Sequence, residues 1–464
     1  MNIPFLRSAS LCLAWTLLTA LVALAGCTGP TPTAADPTDG RRPNVILIYA
    51  DDQGTIDVGA LGADDLHTPH LDELFASGVT LTSFYAPAPV CSPSRAGMLT
   101  GRVPHRAQLA GNVPRNHPTA GMPTEQVTIA EMLHDYGYAT AHIGKWHLGH
   151  GESLLPNAQG FDHSFGHHGG CIDNYSHFMY WSGPNGHDLY RNGEAVHAPG
   201  RFFPDLMVEE ATRWIAEQDG RPFFMYFAIN LPHYPYQGEP HWLERYASEG
   251  LETPRLEYAA FISTMDDRIG ALLEALERMG LADDTIVIYQ SDHGHSTEER
   301  AFFGGGDAGP HRGAKFSLLE GGLHVPAAIR WPNGLPANEM RGQFATGCDW
   351  LPTIAELVGC DLPDRRLDGE SLVQVLRDDN ASTPHAVFHW AQGDQWAVRG
   401  GDWKLIRDAR DTTDGRRVTT DRGVRLYNLQ ADPGESNDLA GEHPERVREM
   451  TALHEQWVRE RDTQ

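Results

Sequence analysis

Basic residues are scarce in this chain. Only 36 lysines and arginines stand against 62 aspartates and glutamates, a formal net charge of -26 over 464 residues. That balance excludes a general nucleic-acid binder, because phosphate backbones demand a basic surface. Any anionic ligand must instead be met by a local basic pocket. Cysteine is scarce too: six in all, with no Cys-x-x-Cys pair. A disulfide scaffold and a thiolate zinc module are therefore both poor fits, although Cys348 and Cys360 are close enough in sequence for one bridge. Internal repeats are absent. The apolar run Leu11–Leu24 falls short of the ~20 residues of a spanning helix. What is present, 41% hydrophobic and 21% charged residues, is ordinary for a soluble enzyme, and the length favours two domains.

Arg7, the apolar run and Leu24-Ala25-Gly26-Cys27 have the form of a secretory signal. The ending resembles the bacterial lipoprotein box. That resemblance implies that residues 1–27 are a signal peptide and that Cys27 becomes the lipidated first residue. It also implies handling by export and lipoprotein-processing machinery, and a place in the bacterial periplasm or cell envelope. Membrane contact would be through the lipid anchor alone. Residues 28–42, rich in Thr, Pro, Asp and Gly, read as a tether.

The chain then alternates. Apolar runs at 43–50, 138–143, 223–229 and 285–289 read as buried strands, and 128–136, 204–217 and 258–279 carry helical spacing. Such alternation predicts an α/β domain with a mostly parallel sheet flanked by helices, over 43–375. From about His385 the pattern changes to short strands and a closing helix at 445–459, which predicts a small C-terminal α+β domain with an antiparallel sheet over 376–464. Each buried strand is followed by polar groups: Asp51 and Asp52, Lys145 and His147, His233, then Asp292 and His293. Ligands of open α/β sheets bind beyond the carboxyl ends of the strands, so these groups converge on one edge. The adjacent carboxylates Asp51 and Asp52 are either exposed in a turn or neutralised by a cation.

Two loop-like regions lie between these elements. Residues 160–196, rich in His, Gly, Tyr and Trp, are expected to wall the site with aromatic and polar groups. Residues 295–315 carry Gly304-Gly305-Gly306 and end at His311-Arg312-Gly313-Ala314-Lys315, which reads as a mobile loop aiming basic residues at an anion.

One stretch stands apart: Cys91-Ser92-Pro93-Ser94-Arg95-Ala96-Gly97-Met98-Leu99-Thr100-Gly101-Arg102. A lone thiol at the start of a short helix (94–100), one turn from an arginine, is a candidate activated nucleophile. Taken alone, Cys91 also fits a buried small hydrophobe. The surrounding carboxylates are expected to raise its pKa and make it a poor thiolate.

This stretch matches the C-x-P-S-R-x-x-x-L-T-G-R signature of type I, formylglycine-dependent sulfatases at every defined position. Gly144-Lys145-Trp146-His147-Leu148-Gly149, Asp51-Asp52-x-Gly54, Ser291-Asp292-His293-Gly294 and Glu320-Gly321-Gly322 also match, in the family's order. The chain thus resembles that family of the alkaline-phosphatase superfamily from about Asn44 onward. The resemblance implies an alkaline-phosphatase-like fold and an arylsulfatase-like sulfuric ester hydrolase. It implies that Cys91 is oxidised to Cα-formylglycine by a formylglycine-generating or anaerobic maturation enzyme, and that the aldehyde hydrates to a gem-diol. Asp51, Asp52, Asp292 and His293, with residue 91, would surround one Ca²⁺. His293 stands where many members carry Asn, which leaves Mg²⁺ or a transition metal less excluded. Lys145, Lys315 and His233 would hold the sulfate oxygens, Asp292 would serve as base, and His233 or Lys315 would protonate the leaving alcohol. His147 would take the second proton, and Arg95 would position residue 91. His324 stands where many relatives have Arg, with a local effect expected.

A phosphodiester or phosphonate ester hydrolase of the same superfamily, and a non-catalytic lipoprotein binding sulfated glycans, are the competing readings. The expected substrate is a sulfated carbohydrate.

Overall fold

A strand that is apolar on both faces requires cover on both faces. The computed structural model describes residues 42–461 apart from 116 and 181–184; the expected signal peptide, Cys27 and nearly all of the tether lie outside the described residues. Ten strands form one mixed sheet: β1 (Asn44–Ala50), β2 (Val79–Leu81), β3 (Ala139–Lys145), β4 (His163–His167), β5 (Tyr190–Arg191), β6 (Glu194–Ala195), β7 (Phe223–Ala228), β8 (Thr285–Ser291), β9 (Ala327–Arg330) and β10 (Glu339–Arg341). Their spatial order is β10-β2-β9-β8-β1-β7-β3-β4-β5-β6. The central five, β8, β1, β7, β3 and β4, run parallel, while β9 is antiparallel to both its neighbours. Every residue of β1, β3, β7 and β8 is buried, as continuous apolar runs predict.

The period of two sorts the core into two layers. Val45, Leu47 and Tyr49 of β1 face α2 (Cys91–Thr100) and α3 (Ile129–Asp135), through Met98, Leu99 and Leu133. Ile46 and Ile48 face α1 (Pro69–Ala76), α4 (Phe203–Ala216) and α5 (Arg255–Arg278), through Leu74, Met207, Ala211, Ile262 and Met265. Burial of that size on both faces, at about 25 cal/mol per Å² of apolar surface, holds the strand ends in fixed register. Gly144 is needed where β3 meets β7: its φ is +117, and a Cβ there would fall 2.1 Å from Ala228 O.

The C-terminal strands β11 (Val387–Gln392), β12 (Gln395–Gly400), β13 (Trp403–Asp411) and β14 (Thr419–Asn428) form a consecutive antiparallel sheet, covered by α6 (Pro444–Arg461). His454 of α6 stacks on Trp396 at 4.1 Å. Both sheets lie within one compact unit. Buried Lys404 of β13 joins them, its Nζ 2.7 Å from Glu320 Oε1 and 3.0 Å from Glu435 Oε1. Cys348 and Cys360 are both free thiols. Among the described residues, no helix is long and apolar enough to cross a membrane.

Candidate active site

The carboxyl ends of β1, β3, β7 and β8 deliver the expected polar groups to one place. Asp51 N donates to Leu231 O and Asp292 N to Ala50 O, both at 3.0 Å, so neighbouring strand ends are stitched together. Asp52 and His147 adopt left-handed backbone, with φ of 65 and 55. Residues in that region cost energy unless their surroundings over-determine them, and they concentrate at functional sites.

Extended Val90 precedes α2, and Cys91 is the first residue of the helix, three residues earlier than the motif suggests. The two motif serines hold this turn. Ser92 Oγ donates to His147 O at 2.6 Å, and Ser94 Oγ to Asp292 O at 2.5 Å. Arg95, fully buried one turn on, sets Nη2 3.2 Å from Asp51 Oδ1 and 2.9 Å from Asp292 Oδ2. Its position ties residue 91 to the carboxylates.

All five expected metal ligands are brought together. His293 Nε2 lies 3.4 Å from Cys91 Sγ, 3.4 Å from Asp292 Oδ1 and 3.5 Å from Asp52 Oδ1. Cys91 Sγ lies 3.9 Å from Asp51 Oδ1. Ligand atoms of Asp51, Cys91, Asp292 and His293 all fall within 4.8 Å of one another. His293 Nδ1 donates to Gly294 O at 2.9 Å, which turns Nε2 inward as a ligand would require. Asp52 Oδ1 is buried without a hydrogen bond of good geometry. Three buried carboxylates beside one imidazole fit a hard divalent cation, with the nitrogen softening the preference.

The charges explain the titration of the site. Lys145 Nζ lies 2.7 and 2.9 Å from the Asp51 oxygens, and Lys315 Nζ 2.9 Å from Asp52. Burial opposes ionisation of Asp51, but Lys145 and Arg95 hold it well below the usual range. Burial dominates at Asp52, raised to about 8, and at Asp292, raised to about 6. His293 is carried up to about 9 against its burial by Asp292 and the Cys91 thiolate. Burial and neighbouring lysines keep His147 and His233 neutral. The expectation of a raised Cys91 pKa is overturned: the thiol is lowered to about 6. Burial pushes it up, yet Lys145 and Lys315, brought from distant parts of the chain, outweigh Asp51.

A cavity of about 460 Å³ opens above Cys91, His147, His233 and Lys315. Part of its wall was not anticipated: residues 112–115 and His117 also line it. Asn112 Oδ1 accepts the Ser92 N–H at 3.0 Å, which anchors this segment to the motif. The expected aromatic wall from 160–196 contributes Gly170 and Met179, whereas His168 and Tyr190 stack on each other at 4.5 Å and line a separate depression. Of the basic residues at 311–315, Lys315 alone enters the site. Arg312 pairs with Asp411 and Asp421, and His311 bonds Pro433 O and His324. Two glycines of this loop serve close packing: a Cβ at Gly305 would lie 2.8 Å from Tyr258 Cβ, and one at Gly306 would lie 2.3 Å from His295 Cβ. His324 has a local role, bridging His311 and Thr82 O at 2.8 and 3.0 Å.

Comparison with known proteins identifies the family. Residues 43–360 match the Sulfatase family model, and residues 314–463 match "N-sulphoglucosamine sulphohydrolase, C-terminal". Arylsulfatase A of Homo sapiens is 32% identical over 447 residues, covering 88% of this chain and 85% of that protein. The N-acetylgalactosamine-6-O-sulfatase of Bacteroides thetaiotaomicron is 30% identical over 508 residues, covering 95% and 97%. The crystal structure of Ps i-CgsB superposes with a TM-score of 0.80 at 28% identity, covering 90% of this chain and 93% of that one. The fold is alkaline-phosphatase-like, and with residue 91, its carboxylates and its lysines gathered in this way the chain belongs to the sulfatase family, enzymes that hydrolyse sulfate esters.

Proposed function

We propose that this sulfatase removes sulfate from a sulfated saccharide, using Cys91 oxidised to formylglycine and one Ca²⁺. The observation that carries the reading is the Cys91 cluster, in which a helix-start residue faces two lysines and three carboxylates. The same ammonium groups that draw the thiol down act on an anionic sulfate at that point. Held by Asp51, Asp52, Asp292 and His293, the cation would polarise the sulfate, and hydrated formylglycine at residue 91 would supply the nucleophile. The protein's own residues do the rest. Arg95 fixes Asp51 and Asp292. Asp292, with a carboxylate oxygen within 4.8 Å of Cys91 Sγ, takes a proton at residue 91. His233 donates Nδ1–H to Tyr234 O at 2.7 Å, so Nε2 presents a lone pair. Lys315, held protonated by Asp52 against its burial, is therefore the better donor to the leaving alcohol. His147, neutral and in the cavity wall, is placed to accept a proton from residue 91.

A saccharide substrate is supported by the relatives: one is named N-acetylgalactosamine-6-O-sulfatase, and Ps i-CgsB has been solved with k-i-k-neocarrahexaose. The Leu24-Ala25-Gly26-Cys27 box supports export and lipid anchoring through Cys27 in the bacterial periplasm or cell envelope. Mass analysis of the peptide spanning residue 91, paired with a panel of defined sulfated mono- and oligosaccharides, tests the proposal. Formylglycine at 91 and turnover on the panel are expected, and Cys91→Ala loses turnover. Active protein bearing only unmodified cysteine, or faster phosphodiester than sulfate ester cleavage, overturns it.

A further inference from the structure

Two concavities meet at Phe316. It lines the active-site cavity with Cys91 and Lys315, and it also lines a second, polar groove of about 240 Å³ on the C-terminal sheet. Phe316 has φ of 72, a left-handed conformation that is an outlier for so bulky a residue. The surroundings over-determine it. Its N–H donates to Pro89 O at 2.8 Å, its carbonyl accepts Gln395 Nε2 at 3.0 Å, and its ring lies 5.6 Å from Lys315 Nζ and 5.8 Å from Arg410 Cζ. A half-buried aromatic ring is thus clamped between catalytic lysine and groove arginine.

Beyond the ring the lining changes character: Gln392, Asp394, Arg410, Thr420 and Arg422 present amide, carboxylate, hydroxyl and guanidinium groups. Arg410, Thr420 and Arg422 are exposed there. A clamp for a second sulfate would lack the acidic side chain. Donors and acceptors of both signs beside an aromatic face instead match a ring carrying several hydroxyls. The cavity above Cys91 is large enough for one sulfated ring, so the groove is superfluous for a small sulfate ester.

We propose that this groove is a second sugar subsite: the ring adjoining the sulfated one crosses Phe316 and is held through its hydroxyls by Asp394, Arg410 and Arg422. The inference rests on the saccharide reading above. Its test compares kcat/KM on the best sulfated monosaccharide of the panel with that on disaccharides bearing the same sugar at either end. The wild type should cleave one disaccharide at least roughly tenfold better. Arg410→Ala and Thr420→Trp, the latter a block at an exposed strand position that tolerates aromatics, should each raise KM for the disaccharide. The loss in kcat/KM should exceed that for the monosaccharide by about tenfold, the size of one charged hydrogen bond. Equal losses on both substrates, or a wild type without disaccharide preference, overturn the subsite. A wild type that cleaves an aryl sulfate but no sulfated sugar overturns the saccharide reading, and the subsite falls with it.

Discussion

Replacing Lys404 by methionine keeps most of the side chain's bulk and deletes its charge. In the native protein two buried carboxylates share that one ammonium, and Glu435 Oε2 also accepts the Glu320 N–H at 2.6 Å. Burial works against Glu320, yet Lys404 holds it down to about 2, while burial and the repulsion of Glu320 raise Glu435 to about 7. Breaking a buried ionic cluster by removing one partner costs about 3–5 kcal/mol. With an unfolding entropy of roughly 2.1 cal/mol/K per residue over about 420 residues, that is a fall in Tm of about 3–6 °C. The sign of the pH dependence follows from proton counting. Without the ammonium both carboxylates rise further, so native Lys404→Met binds more protons than native wild type through the neutral range. Its deficit therefore grows as pH climbs from 5 to 8, by up to about 1.4 kcal/mol per unit for each extra proton, and shrinks in acid. Urea unfolding of both proteins at pH 5, 6.5 and 8 measures this. A deficit under about 1 kcal/mol, or one that is flat with pH, refutes the assignment of Lys404 as the shared counter-charge.

Two further expectations concern single side chains. His293→Asn exchanges the inward nitrogen for an amide oxygen, so the ratio of Mn²⁺ to Ca²⁺ stabilisation in thermal shift should fall; an unchanged ratio places His293 outside the metal's coordination. His385 Nε2 bonds buried Asp349 at 2.7 Å, and against its burial this pair raises the imidazole pKa. A raised histidine stabilises below its unfolded value near 6.5, and the effect fades as pH rises through the folded one. His385→Ala should thus cost about 1–2 kcal/mol at pH 5.5 and less at pH 9, and urea midpoints showing the reverse order rule this out.

The strand ends were readable because burial on both faces leaves a continuous apolar signal with polar groups only where it stops, as at Tyr49-Ala50-Asp51-Asp52. Residues 112–115 and His117 gave no such signal. They form irregular chain, and their place in the cavity wall depends on Asn112 reaching the Ser92 N–H. The acidity of Cys91 was misjudged for a related reason. The carboxylates gathered around it point one way, whereas the balance is set by Lys145 and Lys315, which only folding brings near. Arg312 shows the opposite error: adjacency to Lys315 suggested a shared task, yet its guanidinium turns to the C-terminal sheet.

The burial of the whole α2 helix sets an order of events in the life of the chain. Cys91 is 2% exposed, and Ser92, Ser94 and Arg95 are 0% exposed. No enzyme can take hold of that segment once the fold has closed around it, so the oxidation proposed for residue 91 would belong to the unfolded chain. The site needs Lys315 before it can close, and synthesis from residue 91 to residue 315 at 5–20 residues per second takes roughly 10–45 s. That interval would be the opening for the maturation enzyme that the proposed formylglycine requires. On that reading, protein that folds first would keep its thiol at the floor of the cavity, where the maturation enzyme could no longer grip the helix around it.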